Sequence, residues 1–135
     1  MIFVLDTSAF SAAMRNEEGL VNFLQDHHPG EITTVPPVVA EIEYGIRRID
    51  PSSKKHTLLL DQYEKLLAHI AVLPWDHQSS TNFGEIKAAL EKAGTPIDDF
   101  DIAIGAIAKS HGATVITANL AHFKQIDGLI SINWA

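Results

Sequence analysis

The sequence predicts an α/β domain, a sandwich in which a central, mostly parallel β-sheet is flanked by α-helices, and three observations predict it. Short apolar or β-branched runs (IFVL, ITTV, AVLP, TVITAN and LISINW) recur along the chain. Stretches of helical periodicity separate them, several with their own start or stop signals. The 135 residues, 46% of them hydrophobic, suffice for one core and are too few for two, so residues 1–135 are read as a single domain.

IFVL, residues 2–5, is a buried strand, and Asp6, Thr7 and Ser8 break it with side chains suited to a loop or a helix N-cap. Leu20, Val21, Phe23 and Leu24 form a helical stripe that stops before His27-His28-Pro29-Gly30. ITTV, 32–35, is the next brief strand. In PPVVAEIEYGIRRI, 36–49, Val39, Ile42, Ile46 and Ile49 recur at helical spacing behind two prolines that suit a first turn. Between Pro51 and Ala71, the set Leu58, Leu59, Tyr63, Leu66, Leu67 and Ile70 describes a longer amphipathic helix, with Ser52 or Ser53 as its cap. AVLP, 71–74, is a short strand. Residues 79–93 form a helix that turns Phe83, Ile86 and Leu90 inward, and Gly94 is placed to stop it. A helix from about Asp99 to Ser110 ends at His111-Gly112, TVITAN follows as a β-branched strand, and LISINW adds a last short one.

Composition narrows the function. The absence of Cys rules out disulfides and thiolate zinc sites, so metal chemistry must use oxygen or imidazole ligands; it fits a reducing, cytoplasmic compartment. No apolar run approaches the ~18 residues that cross a bilayer, and no membrane association is expected. A net charge of −7 argues against a general-purpose nucleic-acid binder, whose affinity comes from cations on phosphates. It leaves room for a nuclease that masks its own carboxylates with a divalent metal.

PIDDFD, 96–101, places three aspartates ahead of an apolar run. With a helix beginning near Asp99, Asp98 falls at the N-cap and Asp101 at the third helical position, where unpaired N–H groups tolerate charge. At ~100° per residue, Asp101 shares a face with Ile104, Gly105 and Ala108, and Asp99 points ~160° away toward solvent. Glu41 flanks the apolar seam beside Val38 and Gly45, and Glu43 is rotated ~200° from it, a solvated surface residue. Singly, each acid has a plain alternative: Asp6 a helix cap, Glu41 a rim residue, Asp101 a support for its helix N-terminus. Together, Asp6, Glu41 and Asp101 come from separate elements able to converge beyond the carboxyl ends of parallel strands, where Asp6 follows IFVL and Asn119 follows TVITA. An oxygen-only cluster of that kind selects Mg²⁺ or Mn²⁺.

In this order, D-T-S, E-x-x-x-G, P-I-x-x-F-D and T-x-N-x-x-x-F resemble the PIN-domain ribonucleases, and among them the VapC toxins of bacterial toxin–antitoxin pairs. The likeness covers essentially the whole chain. It implies metal-dependent cleavage of a structured RNA, tRNA or rRNA, leaving a 5′-phosphate and inhibiting translation. It further implies neutralisation by a small VapB-like antitoxin, a homodimer, and operator DNA reached only through the antitoxin complex. The family's acidic positions match Asp6, Glu41 and Asp101, as catalytic and metal-holding residues. Its frequent fourth acid is matched here by Asn119, which can orient water or a ligand but adds no charge. Thr117 and Ser8 are donors behind the acids by the same resemblance, and Asp98 and Asp99 inherit no role.

Other polar signals read more plainly. The seven His show no tight ligand spacing, and His122, near the expected crevice, reads as exposed with substrate binding as the alternative. Arg47-Arg48 and Lys54-Lys55 are the densest basic groups; a solvated helix face is the usual explanation and contact with RNA phosphates the other. Trp75 and Trp134 read as core or interface residues. Two functions of other classes stay open: a catalytically silent fold serving as a binding module, and a phosphotransfer domain with Asp6 as nucleophile. Against the second, DTS lacks another Asp two residues on.

Overall fold

The computed structural model describes residues 1–134. Five strands, β1 (Phe3–Leu5), β2 (Ile32–Thr34), β3 (Ala71–Val72), β4 (Thr114–Ile116) and β5 (Ile130–Ile132), form one sheet in the order β3-β2-β1-β4-β5. Every pairing is parallel, so the sheet is wholly rather than mostly parallel. The helices are α1 (Thr7–Met14), α2 (Glu18–Gln25), α3 (Pro36–Arg47), α4 (Lys54–Leu67), α5 (His77–Ala93), α6 (Asp99–Ser110) and α7 (Leu120–Phe123).

The three central strands are buried along their whole length because helices cover both faces, which is why they read as apolar or β-branched runs without alternation. Two buried threonines in β2 stay satisfied, the Thr33 hydroxyl donating to the Phe3 carbonyl at 2.8 Å and that of Thr34 to the Leu5 carbonyl at 2.9 Å. The edge strands β3 and β5 are short and partly exposed, which limits them as templates for another chain. Phe10, Leu20, Ile104, Ile107 and Phe123 are among the largest fully buried side chains. At Gly105 an added Cβ would lie 2.7 Å from the Ile126 Cδ1, so any side chain there would have to push the tip of Ile126 aside.

Several boundaries differ from the sequence reading. In α3 the buried stripe is Val38, Ile42 and Ile46; Val39 is half-buried and Ile49 lies past the helix end. Ser53 caps α4, accepting from the His56 N–H at 3.1 Å, but Leu58 is 56% exposed because that turn overhangs the core instead of facing it. The helix expected at 79 begins at His77, capped by Asp76, and ends as expected on Gly94 with φ of 74°. β4 stops at Ile116, so Thr117, not Asn119, directly follows the strand.

Asp76 also ties α5 to the far end of α6. Its carboxylate accepts from the Ser79 N–H at 2.8 Å and from the Ser110 hydroxyl at 2.7 Å, and those bonds, Ser110's foremost, hold its pKa down to about 2. A depressed carboxylate stabilises the fold above its unfolded pKa and loses that contribution as pH falls through the folded value. Wild-type stability is therefore expected to fall between about pH 4 and pH 2 partly through Asp76, and Asp76→Asn to show a shallower decline there. Urea denaturation across that range checks it, and parallel curves for the two proteins would remove the role of this cap.

Candidate active site

The sheet order reverses direction between β1 and β4, since β2 and β3 lie on one side of β1 and β4 and β5 on the other. Such a switch point opens a crevice beyond the strand carboxyl ends. Leu5 pairs with Ile116, so the next residues, Asp6 and Thr117, emerge side by side into that crevice.

Asp6 is the N-cap of α1 and only 2% exposed. One carboxylate oxygen accepts from the Ala9 N–H at 2.9 Å and the Ser8 hydroxyl at 2.6 Å; the other accepts from the Thr117 hydroxyl at 2.5 Å. The donors are themselves fixed: the Ser8 Oγ accepts from the Ala118 N–H at 3.0 Å, and the Thr117 Oγ1 from the Asn119 N–H at 2.8 Å. A buried carboxylate is thus held in one orientation by groups from α1 and from the turn after β4. The capping role and a chemical role do not compete, because the cap uses one oxygen of the pair.

Glu41 projects from the middle of α3 and accepts from the Thr7 hydroxyl at 2.6 Å. Asp101 lies in the first turn of α6, with an oxygen 2.9 Å from the His122 Nδ1. Asp98 caps that helix through the Phe100 N–H at 2.8 Å, and Asp99 is exposed and paired with Lys87 at 3.0 Å, so the three aspartates of PIDDFD divide as expected. Glu43 departs from expectation. It is only partly exposed, pairs with Arg47 at 3.1 Å and accepts a hydrogen bond from Tyr63, whose pKa burial and that bond push up to about 12.

Burial raises the pKa of Asp6, offset in part by its three hydrogen bonds and reinforced by the charge of Asp101. Burial also raises Glu41, with Thr7 opposing and the charges of Asp101, Asp98 and Asp6 adding to it. Acids from three helices therefore share one electrostatic site, with no Lys or Arg among the groups that shift either one. A carboxylate raised in the fold is a net penalty once ionised, so the contribution of Asp6 and Glu41 to stability is greatest in acid and is lost as pH rises through their raised values.

This donor set suits a hard divalent cation: oxygen ligands and accumulated negative charge, with no Lys or Arg among the groups that shift Asp6 or Glu41. Among the described residues, no three His, Asp or Glu side chains are yet grouped closely enough to hold one ion. Each acid is drawn to a donor of its own, Glu41 to Thr7 and Asp101 to His122, so ligation requires side-chain rotation. Asn119 occupies the N-cap of α7 without a side-chain cap bond, and it joins the network around Asp6 through its backbone N–H.

The sequence marks Thr7 and His122 but neither bond. Thr7 stands there as the middle of D-T-S with no partner indicated, and the approach of His122 to Asp101 depends on α7, a helix of four residues. For Thr117→Val, which keeps the shape and deletes the donor, we expect a loss of ~1–3 kcal/mol, the cost of an unpaired buried acceptor. The Asp6 titration, read by carboxyl ¹³C NMR, should move to higher pH; an unmoved titration would detach Thr117 from the site.

The PIN domain family model matches residues 3–129. Ribonuclease VapC1 of Rickettsia felis is 31% identical over 96% of this chain and 93% of its own length. The tRNA(fMet)-specific endonuclease VapC of Shigella flexneri is 26% identical over 98% of both chains. The crystal structure of VapBC2 from Rickettsia felis bound to a DNA fragment from its promoter contains a chain that superposes with a TM-score of 0.87 at 27% identity, covering 100% of both. The chain belongs to the PIN domain family, among its VapC members.

Proposed function

We propose that the chain is a metal-dependent endoribonuclease toxin that cuts a structured RNA, tRNA or rRNA, and is neutralised by a VapB-like antitoxin. The observation that carries this reading is the placement of Asp6, Glu41 and Asp101 around one crevice, near enough that the charge of Asp101 bears on both of the other acids. These three residues would hold Mg²⁺ or Mn²⁺. Bound there, a divalent cation supplies Lewis acidity to the scissile phosphate and acidifies a water molecule.

The protein's own part is positioning. Ser8, Thr117 and the Ala9 N–H keep Asp6 aimed into the crevice, so little reorganisation is needed when charge builds on the phosphate. Thr7 and His122 hold Glu41 and Asp101 at the rim, and each of these bonds must give way for its acid to turn toward a cation. Asn119 is exposed beside this rim and offers an amide to water or substrate. Relatives in complex with antitoxin and promoter DNA support a VapB-like partner, with operator DNA reached through it. We further take the chain to act as a homodimer in the cytoplasm; no helix among the described residues is long and apolar enough to cross a membrane.

Incubating the purified chain with total tRNA and rRNA in Mg²⁺, and sequencing the new ends, tests the reading. Discrete cuts bearing 5′-phosphates, absent with Asp101→Asn and suppressed by the small protein encoded beside it, are expected. Cleavage that survives Asp101→Asn would take the reaction away from this crevice.

A further inference from the structure

A groove of about 320 Å³ runs from Glu41, one of the three acids, along the helical layer between α1, α3 and α4. Thr7 and Glu41 stand at its inner end, Met14, Ile46 and Leu59 line its floor, and Arg15, Arg48 and Lys55 its outer rim. Eight residues of α1 separate Thr7 from Arg15, or about 12 Å at 1.5 Å per residue, a length spanned by a few nucleotides of single strand.

The distribution of charge gives the groove a direction. Of ten Lys and Arg in a chain of net charge −7, five (Arg15, Arg47, Arg48, Lys54 and Lys55) belong to the ends of α1, α3 and α4 that surround this rim. Arg15 pairs with Glu17 and Arg47 with Glu43, both at 3.1 Å. Arg48 and Lys55 are exposed and make no ion pair among the described residues; Arg48 lies 5.9 Å from the centre of the Tyr44 ring. On the other side of the crevice, beyond Asp101, the exposed carboxylates are Asp98 and Asp99. Asp99 is offset by Lys87, so a polyanion reaching this side meets the charge of Asp98, whereas the groove offers it Arg48 and Lys55.

We propose that this groove is the subsite for the single-stranded RNA flanking the scissile phosphate, resting on the endoribonuclease reading above. A base lies on the apolar floor, and the phosphates that follow it contact Arg48 and Lys55. An extended apolar trough rimmed by cations suits a nucleotide, which offers a flat apolar face and a charged backbone within a short distance of each other. The same pairing of charges would let the strand be drawn toward an otherwise anionic protein.

The test is fluorescence anisotropy of a labelled single-stranded RNA oligonucleotide of mixed sequence, with Mg²⁺, in an Asp101→Asn background across a series of salt concentrations. Arg48→Gln with Lys55→Gln should weaken binding about tenfold or more and flatten the plot of log affinity against log salt by ~1.4, at ~0.7 for each phosphate that the variant no longer neutralises. Lys92→Gln with Lys109→Gln, outside the groove, should change neither. Affinity and slope unchanged in the Arg48/Lys55 pair would overturn the proposal, and if that pair instead lost only the antitoxin, the groove would belong to the protein partner. Failure of the cleavage reading shows separately, as intact RNA with the wild-type chain.

Discussion

Glu41→Gln is expected to lower RNA cleavage by at least ~10²-fold, the scale on which loss of one preorganised charged group at a reacting centre is felt, while the melting temperature rises. The two effects have one cause. Gln keeps an oxygen to accept from Thr7, so the packing of α1 against α3 is retained. What disappears is a carboxylate that burial and the charges of Asp101, Asp98 and Asp6 hold in its unfavourable ionised form. The sign follows from linkage. Because the folded pKa is raised, ionised Glu41 costs stability above that value, and the gain from Gln should be visible near neutral pH and vanish in acid. Thermal melts at two pH values beside single-turnover cleavage check both halves. A variant that loses activity and melts lower at neutral pH would mean that Glu41 supports the fold and that its charge is not under strain.

Phe123→Ala should cost ~3–5 kcal/mol, a large fraction of the stability of a domain this size, with a drop in melting temperature of roughly 10 °C or more. Phe123 is fully buried and is the only buried residue of α7. Four residues of helix have little stability of their own, so this ring is what seats the segment on the domain. His122 precedes it and reaches Asp101, so loosening α7 should also reduce cleavage in protein that remains folded. Urea denaturation gives the first effect, and activity per folded molecule gives the second. A loss below ~1 kcal/mol would show that the site can collapse around the missing ring.

Most of the fold was legible because parallel strands buried on both faces and amphipathic helices write their periods plainly. Asp99–Ser110, the Ser53 cap and the Gly94 stop fell where local rules placed them. The misses are cases in which tertiary placement overrides pattern. Leu58 continues an apolar stripe on a turn that the core does not reach, and α7 is too short to show any period. His77 and Gln78 are polar and non-periodic, so the first turn of α5 was visible only through its Asp76 cap.

The candidate site divides the same way. The rotation between Asp99 and Asp101 separates the solvated acid from the one turned to the crevice, and the position of Asp6 after a central strand places it there too. The donors that hold these acids come from 111 and 21 residues away, a distance no spacing rule spans. Ser8 and Thr117 entered through family resemblance, and their geometry now supplies a physical reason, the support of one buried carboxylate.

The most direct measurement of the central claim is the rate at which the purified chain cuts tRNA as Mg²⁺ is titrated in, then chelated with EDTA and restored. Saturable activation by the metal is predicted, with loss of cleavage in the chelator, full recovery on re-addition, and Asp6→Asn inactive throughout. Cleavage at an undiminished rate in EDTA, or by Asp6→Asn in Mg²⁺, would contradict it.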